Sequence, residues 1–231
     1  MERKRVFVMK FALSYSGGKD CMLALYRMII NGNTPIALIT AVNTEQNRSW
    51  FHGIQTVLLD AVSYSLNIPL ITCECTPDEY QLAFEEGLSK ARQMGAEACV
   101  FGDIDIDGHR RWNEERCEKA GLGCILPLWN EDREALVREM ISVGFKAVIK
   151  IIQSDKMDEF FLGQTLSIPL LEKIKAAEVD VCGENGEYHT FVYDGPVFKR
   201  PISFKADEII DFGTHKAIKL YEIDVEQNIN N

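Results

Sequence analysis

The stretch Ser14-Tyr15-Ser16-Gly17-Gly18-Lys19-Asp20-Cys21 decides the fold. An apolar run precedes it, Val6-Phe7-Val8-Met9 and then Phe11-Ala12-Leu13. A second run follows it, Met22-Leu23-Ala24-Leu25-Tyr26. That order reads as strand, tight glycine turn and helix. Two glycines let the backbone bend sharply and come close to a ligand. The helix behind them points unpaired N–H groups and the positive end of its dipole at the turn, which seats a phosphate. Lys19 adds a mobile positive charge. Asp20 is an odd neighbour for phosphate unless a divalent cation lies between them.

Common phosphate motifs do not fit. A Walker loop would need a glycine where Leu13 stands and a Ser or Thr where Asp20 stands, and no G-x-G-x-x-G is present. The segment Ser16-Gly17-Gly18-Lys19-Asp20-Cys21 resembles the pyrophosphate loop of the ATP pyrophosphatases, S-G-G-x-D-S. It departs only at the last position, where Cys21 replaces Ser. The plainer reading is an ordinary strand–helix turn with a surface lysine. The apolar runs on both sides favour the ligand-binding one.

The chain has 231 residues, enough for one large domain or two small ones, with 46% hydrophobic and 26% charged residues. No apolar stretch approaches the ~20 residues of a membrane span. The basic start, residues 1–5, makes a poor signal peptide because Lys10 and the glycine turn soon break the apolar run. A cytoplasmic protein is expected. Net charge is −10, so bare nucleic acid is repelled and is an unlikely partner. The small cluster His109-Arg110-Arg111 faces either an acidic ligand or solvent. Seven cysteines, with no C-x-x-C pair, are expected as reduced thiols rather than zinc ligands.

The first half alternates regularly. Strand-like runs begin near Val6, Ile36, Leu70, Ala98 and Cys124, with helical periodicity between them. Asn31-Gly32-Asn33 should stop the first helix. Thr76-Pro77-Asp78-Glu79 should open the third, whose apolar positions Tyr80, Phe84, Leu88 and Ala91 recur every three or four residues. Such alternation predicts an α/β fold: a parallel, Rossmann-like sheet with helices on both faces. Ligands then sit beyond the carboxyl ends of the strands. There the glycine turn would meet residues 43–52 and Gly102-Asp103. Residues 129–231 read as a smaller α+β domain after an N-terminal domain of residues 1–128. Helices are expected over 131–143 and 168–177, a strand over 145–152, and a hairpin over 202–211 and 216–225. Residues 227–231 read as a frayed tail.

A second dense stretch is Asp180-Val181-Cys182-Gly183-Glu184-Asn185-Gly186-Glu187-Tyr188-His189-Thr190. A solvated turn is the bland reading. Titratable groups between glycines are also how sites are built. Val181 to Glu187, with Asp194-Gly195-Pro196-Val197-Phe198 after it, resembles the hallmark of the diphthine–ammonia ligase family. Gly102-Asp103-Ile104, Arg110-Arg111 and Pro127-Leu128-Trp129 are similar to the middle of that family. The likeness spans roughly residues 10–200. The ending Tyr188-His189-Thr190 departs from Tyr-Glu-Thr and fits a bacterial-type branch.

The resemblance implies an adenine-nucleotide domain of the pyrophosphatase type. It also implies a ligase that uses ATP to activate the carboxylate of diphthine, a modified histidine of elongation factor 2, for amide formation with ammonia. On that view Ser16, Gly17 and Gly18 hold the pyrophosphate, Lys19 offsets its charge, and Asp20 holds Mg²⁺. Cys21 keeps a weakened contact, and Asn43 and Gly102 border the adenosine. Glu184 and Glu187 bind ammonium or take its proton. Asp103, Arg110, Asn185 and His189 are candidates for the acceptor. His52 either contacts the acceptor or caps a helix, and Cys182 is a nucleophile or a turn residue. Rival readings are a tRNA-modifying ATP pyrophosphatase and a regulatory ATP-binding protein without turnover. The residues leave the oligomeric state open, homo-oligomer included.

Overall fold

The computed structural model describes residues 8–50 and 52–225. The basic start, Val6-Phe7 and the tail at 227–231 lie outside the described residues. The glycine turn joins β1 (Lys10–Ser14) to α1 (Lys19–Ile30). Then come β2 (Thr34–Asn43), the two-residue β3 (Arg48–Ser49), α2 (Thr56–Leu66), β4 (Leu70–Cys75), α3 (Tyr80–Gln93), β5 (Ala98–Val100), α4 (Asp107–Ala120) and β6 (Gly123–Ile125). The parallel strands lie in the order β4-β2-β1-β5-β6, and β3 runs antiparallel against the end of β2. This is the expected doubly covered sheet. Alternation along β1 sends Phe11 and Leu13 to a cluster with Leu23 of α1 and Leu58 of α2. Ala12 faces a second cluster with Phe84 of α3 and Cys117 of α4. All three β1 residues are fully enclosed, as a strand covered on both faces requires.

β2 and β5 flank β1 on opposite sides, so the strand order reverses there. A crevice opens at such a point, outside the carboxyl ends of the strands. The glycine turn lies at that end of β1.

The second part contains α5 (Arg133–Ser142), β7 (Lys146–Gln153), α6 (Ile168–Ala176), β8 (Tyr188–Asp194), β9 (Ile202–Asp211) and β10 (His215–Val225). Its sheet is antiparallel, in the order β8-β7-β10-β9. The boundary expected after residue 128 falls between β6 and α5. Ala147 and Ile149 of β7 and Phe191 of β8 nonetheless belong to the same hydrophobic cluster as α1 and α2. Arg27 of α1 clasps the second part, donating to the Glu139 carboxylate of α5 at 3.1 Å, and also holds Pro127 O at the boundary at 2.9 Å. The halves therefore meet as one packed body, which fixes their loops relative to each other.

One start differs from expectation. Thr76 and Glu79 form their capping box, with Thr76 Oγ1 donating to Glu79 at 2.8 Å, but around a single 3₁₀ turn. The α-helix proper begins at Tyr80, a common way for a helix to start. Among the described residues no helix is long and apolar enough to cross a membrane.

Candidate active site

A cavity of about 410 Å³ opens at the carboxyl ends of β1 and β5. One end is polar, lined by Ser16, Lys19, Asp20, Glu184 and His189; the other is aromatic, lined by Tyr80, Phe84, Phe101 and Trp112. The glycine turn and the second dense stretch thus share one cavity, although about 160 residues separate them in sequence.

The turn is built for close approach. Gly17 has φ +89°, a left-handed value, and a Cβ there would lie 2.8 Å from Cγ1 of Ile54. Gly102 lines the cavity, and a Cβ on it would sit 2.5 Å from the backbone nitrogen of Cys21. Lys19 is buried, and its Nζ lies 2.7 Å from Asp20 Oδ2. Burial is the largest single influence and would lower its pKa, but Asp20, Cys182, Tyr188 and Glu184 together outweigh it and hold the ammonium well above the ordinary value. The cavity therefore keeps a permanent cation. The Cys21 thiol is turned inward, donating to Gly18 O at 3.1 Å and accepting from Ser16 Oγ at 3.5 Å.

The second loop is locked onto this turn. Lys19 N–H donates to Thr190 Oγ1 at 3.0 Å, and Val192 N–H donates to Gly17 O at 3.0 Å. Asp20 Oδ1 accepts a long contact from Cys182 Sγ at 3.8 Å. Oxygen donors of Asp20 and Glu184 and the Cys182 sulfur lie within 4.8 Å of one another. Burial and then Asp20 push Glu184 up to about 7. Burial and then Lys19 hold His189 down at about 4. His52 stays neutral as well, held low by burial and by His189, whose ring centre is 4.8 Å away.

Several expected site residues stand elsewhere. Gly17 and Gly18 shape the turn but do not line the cavity. The Lys19 N–H, which should be free for phosphate, is taken by Thr190. Asn43 is buried beneath a turn, its side-chain oxygen accepting from the N–H groups of Glu45 and Gln46 at 2.9 and 3.1 Å. Arg110 pairs with Glu114 at 2.8 Å and lies over the Trp129 ring. Glu187 is buried and accepts from Asn185 N and Nδ2, each at 3.1 Å. Asn185 and Glu187 thus hold the loop's shape and leave the cavity to Glu184. Cys182 is buried, and burial pushes its thiol up, away from a nucleophilic thiolate. His52 is no helix cap, since Gln55 occupies the N-cap position of α2. It lines the cavity and donates through Nδ1 to Thr190 O at 2.9 Å.

Other residues escaped the sequence reading. Tyr80 and Phe84 passed as the buried stripe of a helix, and Phe101 as part of a strand. His109, already named in the basic cluster His109-Arg110-Arg111, also lines the cavity, together with Trp112 and Asn113. Their i, i+3, i+4 spacing on one helix face was the signal available. Asp103, which was expected, anchors two of them. Its Oδ1 lies 3.1 Å from His109 Nδ1, and its Oδ2 accepts from Asn113 Nδ2 at 2.8 Å.

Comparison with known proteins matches the diphthamide synthase N-terminal domain over residues 9–124 and the diphthamide synthase C-terminal domain over residues 132–225. The chain belongs to the diphthamide synthase family. Membership makes it an enzyme, an ATP-dependent ligase. The diphthine–ammonia ligases of Mus musculus and Homo sapiens are each 29% identical over 229 residues, covering 87% of this chain and 85% of theirs. A solved structure, a predicted subunit of tRNA methyltransferase from Methanocaldococcus jannaschii, aligns at 14% identity over 83% of this chain and 99% of that one. Its TM-score of 0.44 is too low to weigh on function.

Proposed function

We propose that the enzyme adenylates the carboxylate of diphthine on elongation factor 2 and converts it to an amide with ammonia, acting in the cytoplasm. The observation that carries this reading is the meeting of the phosphate turn and the Glu184 loop at the polar end of one cavity. The ATP phosphates would lie against Ser16, Lys19 and Asp20. The adenine would lie toward the aromatic end, beside Gly102. A purine ring stacks well on such a wall.

In the first step a carboxylate oxygen of the acceptor attacks the α-phosphorus. The bond to the β-phosphate oxygen breaks, and pyrophosphate leaves with the electron pair. Lys19 stabilises the charge that develops on it. In the second step ammonia attacks the acyl carbon and AMP leaves. Glu184 binds the incoming ammonium and takes its proton; a carboxyl that titrates near neutrality suits that exchange.

Asp20 fits as a Mg²⁺ ligand, being a carboxylate beside the phosphate turn. Cys182 does not fit, because a thiol kept protonated by burial is a poor partner for a hard cation. When bound, the ion would neutralise charge on the departing pyrophosphate.

The test is chromatography of spent nucleotide after incubation with diphthine-bearing elongation factor 2, ATP, Mg²⁺ and ammonium. AMP and pyrophosphate are expected. ADP and inorganic phosphate as the products would reject the mechanism.

A further inference from the structure

Amide formation from ammonium releases two protons. The first leaves ammonium, so that nitrogen has a lone pair with which to attack. The second leaves the nitrogen after the C–N bond has formed, because the adduct carries –NH₃⁺. The C–O bond to AMP then breaks, and its electron pair leaves on the phosphate oxygen. Glu184 accounts for one of these protons. A second base at the same cavity would speed the loss of the other.

Most candidates there are already committed. Lys19 is charged and paired with Asp20. His52 lines the cavity too, but burial and then His189 hold its pKa well below the ordinary value, which leaves it a weak base. His189 is held at about 4 by burial and Lys19, and is too weak a base. The Tyr188 hydroxyl donates to Val181 O at 2.5 Å. Asp103 divides its two oxygens between His109 and Asn113.

His109 is different. A carboxylate only accepts, so Nδ1 of His109 carries the hydrogen and Nε2 holds a free lone pair. No protein group among the described residues bonds to Nε2. The side chain lines the cavity while remaining 61% exposed, so a proton taken there passes readily to solvent. Asn113, one turn along α4, fixes the carboxylate that fixes the ring. This is the base-plus-orienter arrangement of general-base sites.

We propose that His109, oriented by Asp103, is the catalytic base that removes the second proton as the amide forms. The assignment rests on the ligase reading given above. The charged groups that act on the ring are Asp103, from the loop after β5, and Glu184, from the second loop. Both are carboxylates and both strengthen it as a base, the Asp103 hydrogen bond most of all.

Two measurements on the full-length enzyme decide the matter. In the ligase assay, His109→Gln should lower amide formation by roughly 10²-fold, as loss of a general base does. It should keep a stoichiometric burst of pyrophosphate, and added imidazole should restore part of the rate. By NMR of the histidine rings, Asp103→Asn should lower the titration midpoint of His109, and the alkaline rise of its ligase rate should shift with it. A His109→Gln variant with normal rate and pH profile would overturn the assignment. So would a His109 midpoint that ignores Asp103→Asn. Failure of the ligase reading looks different: wild-type enzyme then releases no pyrophosphate, and the base assignment falls with it.

Discussion

The two loops that build the polar end of the cavity are alike in composition and unlike in use. The phosphate turn and the loop at residues 180–190 both set charged side chains beside glycines. In the turn, Ser16, Lys19 and Asp20 all face the cavity. In the second loop most of the polarity is spent internally. Asp180 accepts from the N–H groups of Cys182 and Glu184 at 3.0 and 3.2 Å, and Glu187 accepts twice from Asn185. Of its titratable groups Glu184, Tyr188 and His189 line the cavity, and the Tyr188 hydroxyl is spent on Val181 O. A turn at a strand–helix junction inherits its shape largely from regular structure, so its side chains can face the cavity even while they bond to one another. An irregular loop must satisfy its own backbone, and that consumes the residues that look functional.

The strongest test of this contrast is Lys19→Ala. It removes the one cation buried at the turn, and turnover should fall ~10²–10³-fold, as when a preorganised charge-stabilising donor is lost. The fold should persist, because the aliphatic stem is small against the surrounding core. Calorimetry and AMP formation check it. Unchanged ATP affinity together with unchanged turnover would sink the nucleotide site.

Gly102→Ala probes the wall opposite. Its Cβ would meet backbone, 2.5 Å from Cys21 N and 2.7 Å from Asp20 C, so no rotamer change relieves the clash. The start of α1 must move. A shift of this kind costs about 10²-fold in rate where geometry matters, and overpacking costs ~1–3 kcal/mol of stability. Normal turnover and an unshifted melting temperature would show the turn to be looser than its packing implies.

These contacts also explain what sequence could and could not reveal. The turn was legible because everything that shapes it is local: two glycines between a strand and a helix. The sheet was legible because strand and helix periods alternate. Asn43 misled because a polar residue at a strand end looks like a ligand contact, whereas its amide secures the next turn. Phe84 was hidden by a double duty. It is nearly fully buried in the core cluster and its ring still lines the cavity, and a helical stripe carries no mark of the second role. The division of labour between Glu184 and Glu187 needed the folded loop. Three residues apart, they differ only in which way the Gly186 turn points them.

Glu184→Gln should lower amide formation roughly 10-fold or more while ATP affinity holds. The same variant has a pH signature. The folded protein lifts Glu184 from 4.5 to about 7, so its contribution to stability is fully present below 4.5 and is lost as pH rises through about 7. Gln cannot ionise. Without ligand, the variant should therefore melt a few degrees above wild type at pH 8 and together with it near pH 4. Parallel melting curves across that range would show that Glu184 titrates normally and faces solvent.

The smallest effect on rate is expected from the other glutamate. Glu187 lies buried, accepting from both nitrogens of Asn185, with Lys156 Nζ 4.0 Å away. In Glu187→Gln one accepting oxygen becomes an NH₂ group that faces a donor. A buried donor left without a partner costs ~1–3 kcal/mol. The variant should thus melt several degrees lower, yet keep ATP affinity and stay within about 3-fold of the wild-type rate when assayed well below its melting temperature. Restoring stability with saturating ATP should narrow even that gap, since a ligand that binds only the folded state stabilises it by mass action. If turnover instead collapses as in Glu184→Gln while the melting temperature is unmoved, Glu187 reaches the reacting atoms. The second loop would then resemble the first in use as well as in composition.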